Sequence, residues 1–364
     1  MKGIFRTVVV IGFILMLIAC GSNNSGGGGA APSSSSGGGG EQPKAEKRVL
    51  RSTIHAPEGI PYSKGYDAFL DEIEKRSNGL IEFERYYAAS LLGTNNIITG
   101  LGGKVADIGV VLPAWNPGIL PLGTVSSNPS IYNDAYAAAK AVDELYRTIP
   151  AMNEELEKNK LKYVGQYALP AYYLFTSKPM ASLDDIKGQK LIATAQVAEL
   201  AKSLGAVPIA AQTTEAYEII SKGTADGLII SPEAIMSYHL DELITHVYYA
   251  PMGGHTGLYV MNLDTWNSLP ADIQQTIREI SSDFQPKSFR EIIFNDAVIG
   301  ELKSKGITFL EPTAEEMQRL EAASKTLWDA WVKEMTDQGL PGQEVLDKYI
   351  EYAQKYEADN PFKK

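Results

Sequence analysis

The sequence predicts an α/β fold of two lobes, each built on a mainly parallel sheet flanked by helices. The first observation is the stretch 182–232, where three short apolar strand patterns alternate with two helical patterns. This β-α-β-α-β order favours a parallel sheet whose loops collect at one edge. The second observation is an internal echo, because 104–111 and 223–230 each read as a helix end, a tight turn and a buried strand. Two lobes built on one plan would produce such an echo.

Each element of the stretch 182–232 has a local signal. Ser182 and Asp185 have the spacing of a capping box, which predicts a helical turn. Gly205 and Gly223 stand where the two helices should end, because glycine readily adopts the conformation that closes a helix. We expect strands at 190–193, 207–210 and 227–230, and helices at 195–204 and from Thr213 or Thr214 to Ser221.

The rest of the body follows the same periodicities. The helix after Pro61 should bury the stripe of Tyr62, Tyr66, Phe69 and Ile73, and its acidic residues fit a solvated face better than paired catalytic carboxylates. Pro286 should break or kink a helix that starts at Pro270. The expected elements are strands at 49–54, 80–86 and 246–250, a tyrosine-rich strand-like run at 161–177, and helices at 61–77, 135–158 and 270–302.

The first 46 residues predict a targeting segment and a tether. Lys2 and Arg6 begin a segment whose apolar run, 8–18, is too short to span a bilayer comfortably. The Leu-Ile-Ala-Cys sequence at 17–20 resembles a bacterial lipobox, which implies a signal peptide over 1–20 and lipidation of Cys20 with palmitate-type chains. Two such chains suffice for stable anchoring.

The alternative at this end is an ordinary signal peptide with an incidental cysteine. Cys20 is the only cysteine, so an internal disulfide is excluded. Residues 21–46 are mainly Gly and Ser at first, a composition typical of a disordered, flexible tether.

Charge and motifs exclude several functions. The chain has 33 Lys and Arg against 44 Asp and Glu, a net charge of −11, which argues against nucleic acid or anionic lipid as a partner. We find no HExxH or other metal spacing, no G-x-S-x-G elbow and no complete phosphate loop. We therefore predict no catalytic residue, no cofactor and no metal. The histidines, His55, His239, His246 and His255, fit structural roles best, and His55 stands out because of its loop.

Three motifs carry a family resemblance. They are D-x-K-G-x-K at 185–190, L-G-A-x-P at 204–208 and A-D-G at 225–227, in that order. They resemble the second lobe of the TRAP-type solute-binding proteins, the extracytoplasmic receptors of tripartite ATP-independent transporters. Trp266-Asn-Ser-Leu-Pro270 with Gln274 and Ile277 is similar to another signature of that family, and 55–62 is similar to its first ligand loop. The similarity runs from about Arg48 to about Tyr356.

The resemblance implies a periplasmic-binding-protein-like fold with two lobes and a long connecting helix after Pro270. We expect the first lobe to be 47–168 plus 249–280, and the second to be 169–248 plus 281–355. It also implies a small organic solute in the inter-lobe cleft, and as partners the small and large membrane subunits of the transporter. Membrane contact would be through the lipid anchor alone.

One departure from the family pattern bears on the solute. The strand after K-G-x-K typically carries an arginine that binds a substrate carboxylate, and Ile192 stands there in this chain. Guanidinium suits carboxylates because it offers two parallel charged donors. Either the solute is not a simple dicarboxylate, or Lys190 or Lys178 replaces the arginine. We favour the first, with a neutral, hydroxylated or aromatic solute.

The ligand site is accordingly expected on the loops at the cleft. Its predicted residues are His55, Glu58, Trp115, Asn116, Tyr172, Tyr173, Ile192, Thr194, Ser231, Tyr238 and His255. A second class of function stays open, namely a lipid-anchored extracytoplasmic sensor or enzyme on the same scaffold. A nucleophile paired with a base in the cleft would favour that alternative.

Overall fold

The structure is a computed structural model that describes residues 47–293 and 297–362. Cys20 and the predicted tether lie outside the described residues. The strands are β1 Arg48–Thr53, β2 Ile81–Tyr86, β3 Ile108–Val111, β4 Leu161–Ala168, β5 Tyr172–Thr176, β6 Lys190–Ile192, β7 Val207–Ile209, β8 Gly227–Ile230, β9 His246–Gly253, β10 Thr256–Asn262 and β11 Thr308–Leu310.

The helices lie between and after these strands. They are α1 Pro61–Arg76, α2 Ile97–Gly102, α3 Ala135–Thr148, α4 Pro150–Glu157, α5 Ala195–Ser203, α6 Ala216–Ser221, α7 Pro232–Ser237, α8 Leu263–Ser268, α9 Ala271–Glu279, α10 Gln285–Ile293, α11 Ala297–Ser304, α12 Ala314–Asp337 and α13 Gly342–Ala358. Within the described part of the chain, none of them is both long and apolar enough to cross a membrane.

Two sheets organise the fold. The first has the order β2-β1-β3-β10-β4 and the second β11-β9-β5-β8-β6-β7. We call each sheet, with the helices packed on it, the first lobe and the second lobe. This confirms the predicted two-lobed α/β fold, and β6, α5, β7, α6 and β8 lie within about a residue of their expected bounds, except for the start of α6.

Both sheets contain antiparallel as well as parallel strand pairs. β1 pairs in parallel with β2 and β3, and β6 pairs in parallel with β7 and β8. In contrast, β10 runs antiparallel to β3 and β4, and β5 runs antiparallel to β8 and β9. The antiparallel strands are those that carry the chain between the sheets, from β4 into β5 and from β9 back into β10.

The packing differs from the expected lobe boundaries at three places. β9 stays in the second sheet to Gly253, beyond the expected boundary at 248. α10 and α13, which were expected in the second lobe, pack in the first: Phe289 joins the core under α1, and Tyr349 joins the core under α3. The reason is that their apolar faces complete the two cores on either side of the first sheet.

The helix after Pro270, which was expected to connect the lobes, packs in the first lobe, and a later helix touches both lobes. The run from α9 to α10 contains a π-helical turn, Ile280–Phe284, just before Pro286. Such a turn shifts the hydrogen-bond ladder where proline lacks an N–H, so the helix continues through the proline instead of breaking. The helix that touches both lobes is α12, since Leu320 is buried in a core of the second lobe and Trp331 in a core of the first.

Candidate functional site

Six aromatic side chains form a continuous series of ring contacts from the first lobe to the strands that cross between the lobes. We call this series the aromatic row. It runs, by distance between ring centroids, from Trp115 to His55 (4.9 Å), to Tyr62 (5.3 Å), to Tyr167 (4.9 Å), to His255 (6.3 Å) and to Tyr172 (5.9 Å).

The topology of the sheets places these rings. His55 follows β1, and Trp115 lies in a short turn after β3; because the two strands are parallel, their carboxyl ends meet at one edge. Tyr172 opens β5, and His255 immediately precedes β10. The two crossing segments are tied together because the amide of Leu169 donates to the carbonyl oxygen of His255 at 3.0 Å.

Hydrogen bonds fix the middle of the aromatic row. The Tyr62 hydroxyl donates to the Tyr167 hydroxyl at 2.7 Å, and the Tyr172 hydroxyl lies 2.7 Å from Nδ1 of His255. Burial lowers the pKa of His55 to about 4, and burial together with the nearby His55 lowers the pKa of His255 to about 4. Both imidazoles are therefore neutral at physiological pH, and the row carries no positive charge.

A buried carboxylate acts electrostatically on Tyr172, at the end of the row. Glu233 follows Ser231 and Pro232 at the carboxyl end of β8, and the Ser231 hydroxyl donates to its Oε1 atom. Its Oε2 atom is buried and accepts no hydrogen bond from the described residues. Burial raises the pKa of Glu233 to about 7, although the hydrogen bonds from Ser231 and from its own amide act to lower it.

The charge of this carboxylate acts on two tyrosines. Burial raises the pKa of Tyr172, and the charge of Glu233 is the next cause. Burial likewise raises the pKa of Tyr132, with Glu233 among the contributing charges. Tyr132 in turn donates to the carbonyl oxygen of Leu169 on the crossing segment, at 3.1 Å. Glu233, from the second lobe, is thus within electrostatic range of Tyr172 on a crossing strand and of Tyr132.

A cavity of about 530 Å³ lies between the lobes. Its first-lobe wall comes from the loops after β3, its second-lobe wall from the start of α5 and the end of β7, and α12 closes one side. The charged residues on its lining are Glu199 and Glu334, and no lysine or arginine of the described residues lines it. A much smaller pocket, of about 10 Å³ and so of the size of one water molecule, lies beside His55, Trp115 and Asn116.

The structure brings together part of the predicted site. His55, Trp115 and Asn116 share the small pocket, and Tyr172 and His255 contact each other directly. Thr194 lines the large cavity.

Four other predicted site residues lie apart from these. Tyr173 stacks on Tyr249 at 4.4 Å and is buried in a core of the second lobe, because successive residues of a strand point to opposite faces. Ile192 is buried in the same core and Tyr238 packs against it, while Glu58 is exposed.

Neither candidate lysine lies at the cleft. Nζ of Lys178 lies 2.6 Å from Oδ1 of Asp226, and the amide of Lys190 donates to Oδ2 of the same carboxylate at 2.8 Å. Asp226 directly precedes β8, at its amino end, whereas Ser231 and Glu233 follow its carboxyl end. The two lysines therefore lie at the opposite edge of the sheet from the cleft.

Our sequence reasoning missed Tyr132, Tyr167 and Glu233 as candidate site residues. Glu233 could have been found, because an acidic residue just after a strand at a loop-bearing sheet edge is a ligand candidate. The role of Tyr167 depends on a pairing across 105 residues with Tyr62, which no local pattern predicts.

The described residues contain no group of three or more His, Cys, Asp or Glu side chains that could hold a metal ion. Ser231 and Glu233 resemble a hydroxyl with its base, yet no other side chain of the described residues hydrogen-bonds to the Glu233 carboxylate to orient it as a base. The arrangement of rings, hydroxyls and one free carboxylate oxygen is typical of a binding site rather than a catalytic one.

Comparison with known proteins shows which family has this architecture. Residues 52–334 match the family model described as bacterial extracellular solute-binding protein, family 7. The chain belongs to this family. It is a TRAP-type solute-binding protein, and its family consists of extracytoplasmic receptors for small organic solutes that work with membrane subunits, not of enzymes.

Individual members of family 7 are distant in sequence and close in fold. The chain is 26% identical over 285 residues to the C4-dicarboxylate-binding periplasmic protein of Rhodobacter capsulatus, covering 75% of this chain and 83% of that one. A TRAP periplasmic solute-binding protein from Desulfovibrio salexigens superposes with a TM-score of 0.78 at 24% identity, over 86% of this chain and 98% of that one.

A TRAP solute-binding protein from Rhodoferax ferrireducens, solved with copurified benzoate, gives a TM-score of 0.74 at 21% identity over 86% of this chain and 99% of that one. These two superpositions show that the chain has the same fold as solved TRAP solute-binding proteins.

Proposed function

We propose that this receptor captures its solute between the lobes, against the aromatic row, and that the solute is not a simple dicarboxylate. The observation that carries the proposal is the row itself, which reaches from the first-lobe loops to the crossing strands. Closure of the lobes over a solute would bury the exposed end of the row, since Trp115 is 52% exposed. Aromatic rings supply much of the apolar area that a small solute buries, and a few polar groups set its orientation.

The charges of the cleft support the second part of the proposal. Ile192 is buried in a core, both candidate lysines lie at the far sheet edge, and the histidines of the row are neutral. A doubly charged anion would enter such a site without a cationic partner, which costs several kcal/mol. One relative binds a C4-dicarboxylate and one structural neighbour holds benzoate, so the solute class varies within the family.

Binding is tested by thermal unfolding of the body, residues 47–364, against a panel of carboxylates, polyols, amines and aromatic compounds. A solute that binds the native state raises its melting temperature. We expect at least one compound other than a dicarboxylate to do so, and Trp115→Ala to weaken its binding at least tenfold. The matched control is Tyr217→Ala, which removes a partly exposed ring on α6. If only dicarboxylates bind, or if Trp115→Ala leaves the affinity unchanged, the proposal is wrong.

We also propose that the mature receptor begins at a lipidated Cys20 and is held at a membrane by it. The support is the lipobox-like sequence and the Gly/Ser segment that follows it. Cys20→Ser should leave the precursor uncleaved or release the protein from the membrane fraction. Mass spectrometry of the wild-type N-terminus checks this, and a soluble wild-type protein that retains residues before Cys20 would contradict it.

A further inference from the structure

We propose that the solute is an organic cation whose protonated nitrogen binds the free Oε2 atom of Glu233, beside the aromatic row. This inference rests on the proposed function and names the class of solute for the same cleft. It goes beyond the neutral solute expected from the sequence, because the structure buries one carboxylate oxygen of Glu233 without a partner among the described residues.

Glu233 has one hydrogen-bond acceptor that is not satisfied by any of the described residues. Oε1 of Glu233 already accepts from Ser231, whereas Oε2 is buried without a partner in the described residues. A buried charged acceptor without a donor is costly, and native proteins rarely leave one in place without a reason. A donor brought by the solute would satisfy it, and a protonated amine supplies both the N–H and the opposite charge.

The charged side chains on the lining of the inter-lobe cavity are acidic. The charged residues that line the inter-lobe cavity are Glu199 and Glu334, so a solute entering there meets carboxylates. The titratable side chains on which the charge of Glu233 acts include Tyr132 and Tyr172, whose pKa values are raised by burial, so both stay uncharged. His255, which contacts Tyr172, is neutral because burial lowers its pKa to about 4. The field in the cleft therefore favours a cation over an anion.

The rings of the aromatic row also favour a cation. The faces of tyrosine and tryptophan attract cations, and aromatic walls around a carboxylate are a recurrent way to bind an organic ammonium group. The crossing segments provide Tyr167 and Tyr172. Tyr132 donates a hydrogen bond to the carbonyl oxygen of Leu169, between these two tyrosines in the chain. One carboxylate and several aromatic rings thus fit an amine, and no lysine or arginine of the described residues on the lining of the inter-lobe cavity competes with it.

The alternative is that Glu233 is protonated and donates its proton to a carboxylate of the solute. The two possibilities differ in pH dependence. Because the pKa of Glu233 is about 7, its ionised fraction rises roughly tenfold from pH 6 to pH 8. An amine that needs the ionised form should then bind up to about tenfold more tightly at pH 8, whereas a carboxylate that needs the protonated form should bind more weakly.

The test is calorimetric titration at pH 6 and pH 8 with primary and secondary amines on aromatic and aliphatic skeletons, and with the alcohol and the carboxylate of each skeleton. We expect an amine to bind best, more tightly at pH 8, and at least tenfold more weakly to Glu233→Gln, which keeps the shape of the side chain. Glu321→Gln, on the exposed face of α12, should behave as the wild type. Circular dichroism of each variant checks that it is folded.

The outcomes separate this inference from the proposed function. Preferential binding of the carboxylates or alcohols, or binding of an amine that Glu233→Gln leaves unchanged, overturns the inference and leaves the receptor function standing. If every amine fails while a compound of another class binds, the inference is likewise wrong. If no compound of any class binds, both the inference and the proposed function fail.

Discussion

Replacing Gly227 with alanine should destabilise the second lobe by about 3 kcal/mol or more, enough to reduce the yield of folded protein sharply. An added Cβ would collide with the carbonyl oxygen of Phe175 and lie 2.8 Å from Cα of Thr176. Both atoms belong to the backbone of β5, between β8 and β9 in the second sheet, so they cannot move aside cheaply. Urea unfolding followed by circular dichroism measures the loss.

Gly118→Ala is the matched control for this substitution. No heavy atom lies within 4 Å of a Cβ added at Gly118, so alanine there should change the free energy of unfolding by less than about 1 kcal/mol. If Gly227→Ala were as stable as Gly118→Ala, the close approach of β5 and β8 would be wrong. It would also be wrong that the A-D-G motif needs glycine after Asp226 because β5 leaves no room for a Cβ.

Glu233 should make the stability of the protein depend strongly on pH. Burial raises the pKa of Glu233 from its usual value near 4.5 to about 7, so the folded state binds a proton that the unfolded state releases. A raised carboxyl pKa therefore lowers stability as pH rises between these two values, by about 3 kcal/mol in all. Glu233→Gln removes this titration, so its free energy of unfolding relative to wild type should increase by about that amount between pH 4.5 and pH 8.

Chemical unfolding at several pH values checks this prediction. The difference between variant and wild type is the informative quantity, because His55 and His255 act in the opposite direction: their pKa values are lowered to about 4, so they stabilise the protein as pH rises from 4 to 6.5. That contribution is common to both proteins. Glu321→Gln should show a difference that is independent of pH, and a flat curve for Glu233→Gln would contradict the buried environment of this carboxyl.

Local patterns were sufficient for most of the second sheet. The capping pattern of Ser182 and Asp185, the glycines at 205 and 223 and the short apolar runs predicted the β6–β8 unit, because each signal acts within a few residues. The same patterns did not show that the crossing strands run antiparallel. That property depends on how the chain passes between the sheets, which is not a local feature.

The candidate site was predicted less completely for a related reason. His55 and Trp115 lie on loops at the ends of parallel strands, where topology alone places ligand residues. Tyr173 and Ile192 were expected in the cleft but are buried in a core, because a one-residue difference in register turns a strand side chain to the other face. Glu233 was overlooked because its importance comes from burial without a partner, which only the fold creates.

A crystal structure of the receptor with the best compound of the panel would show where the solute binds. We expect the solute between the lobes, in contact with the aromatic row at Tyr172 or His255, with its nitrogen at Oε2 of Glu233. A separate cavity of about 420 Å³ on the first lobe, lined by Arg147, Lys162 and Arg278, offers the opposite charge. A solute found there, or one that contacts neither the aromatic row nor Glu233, would contradict the proposed binding site.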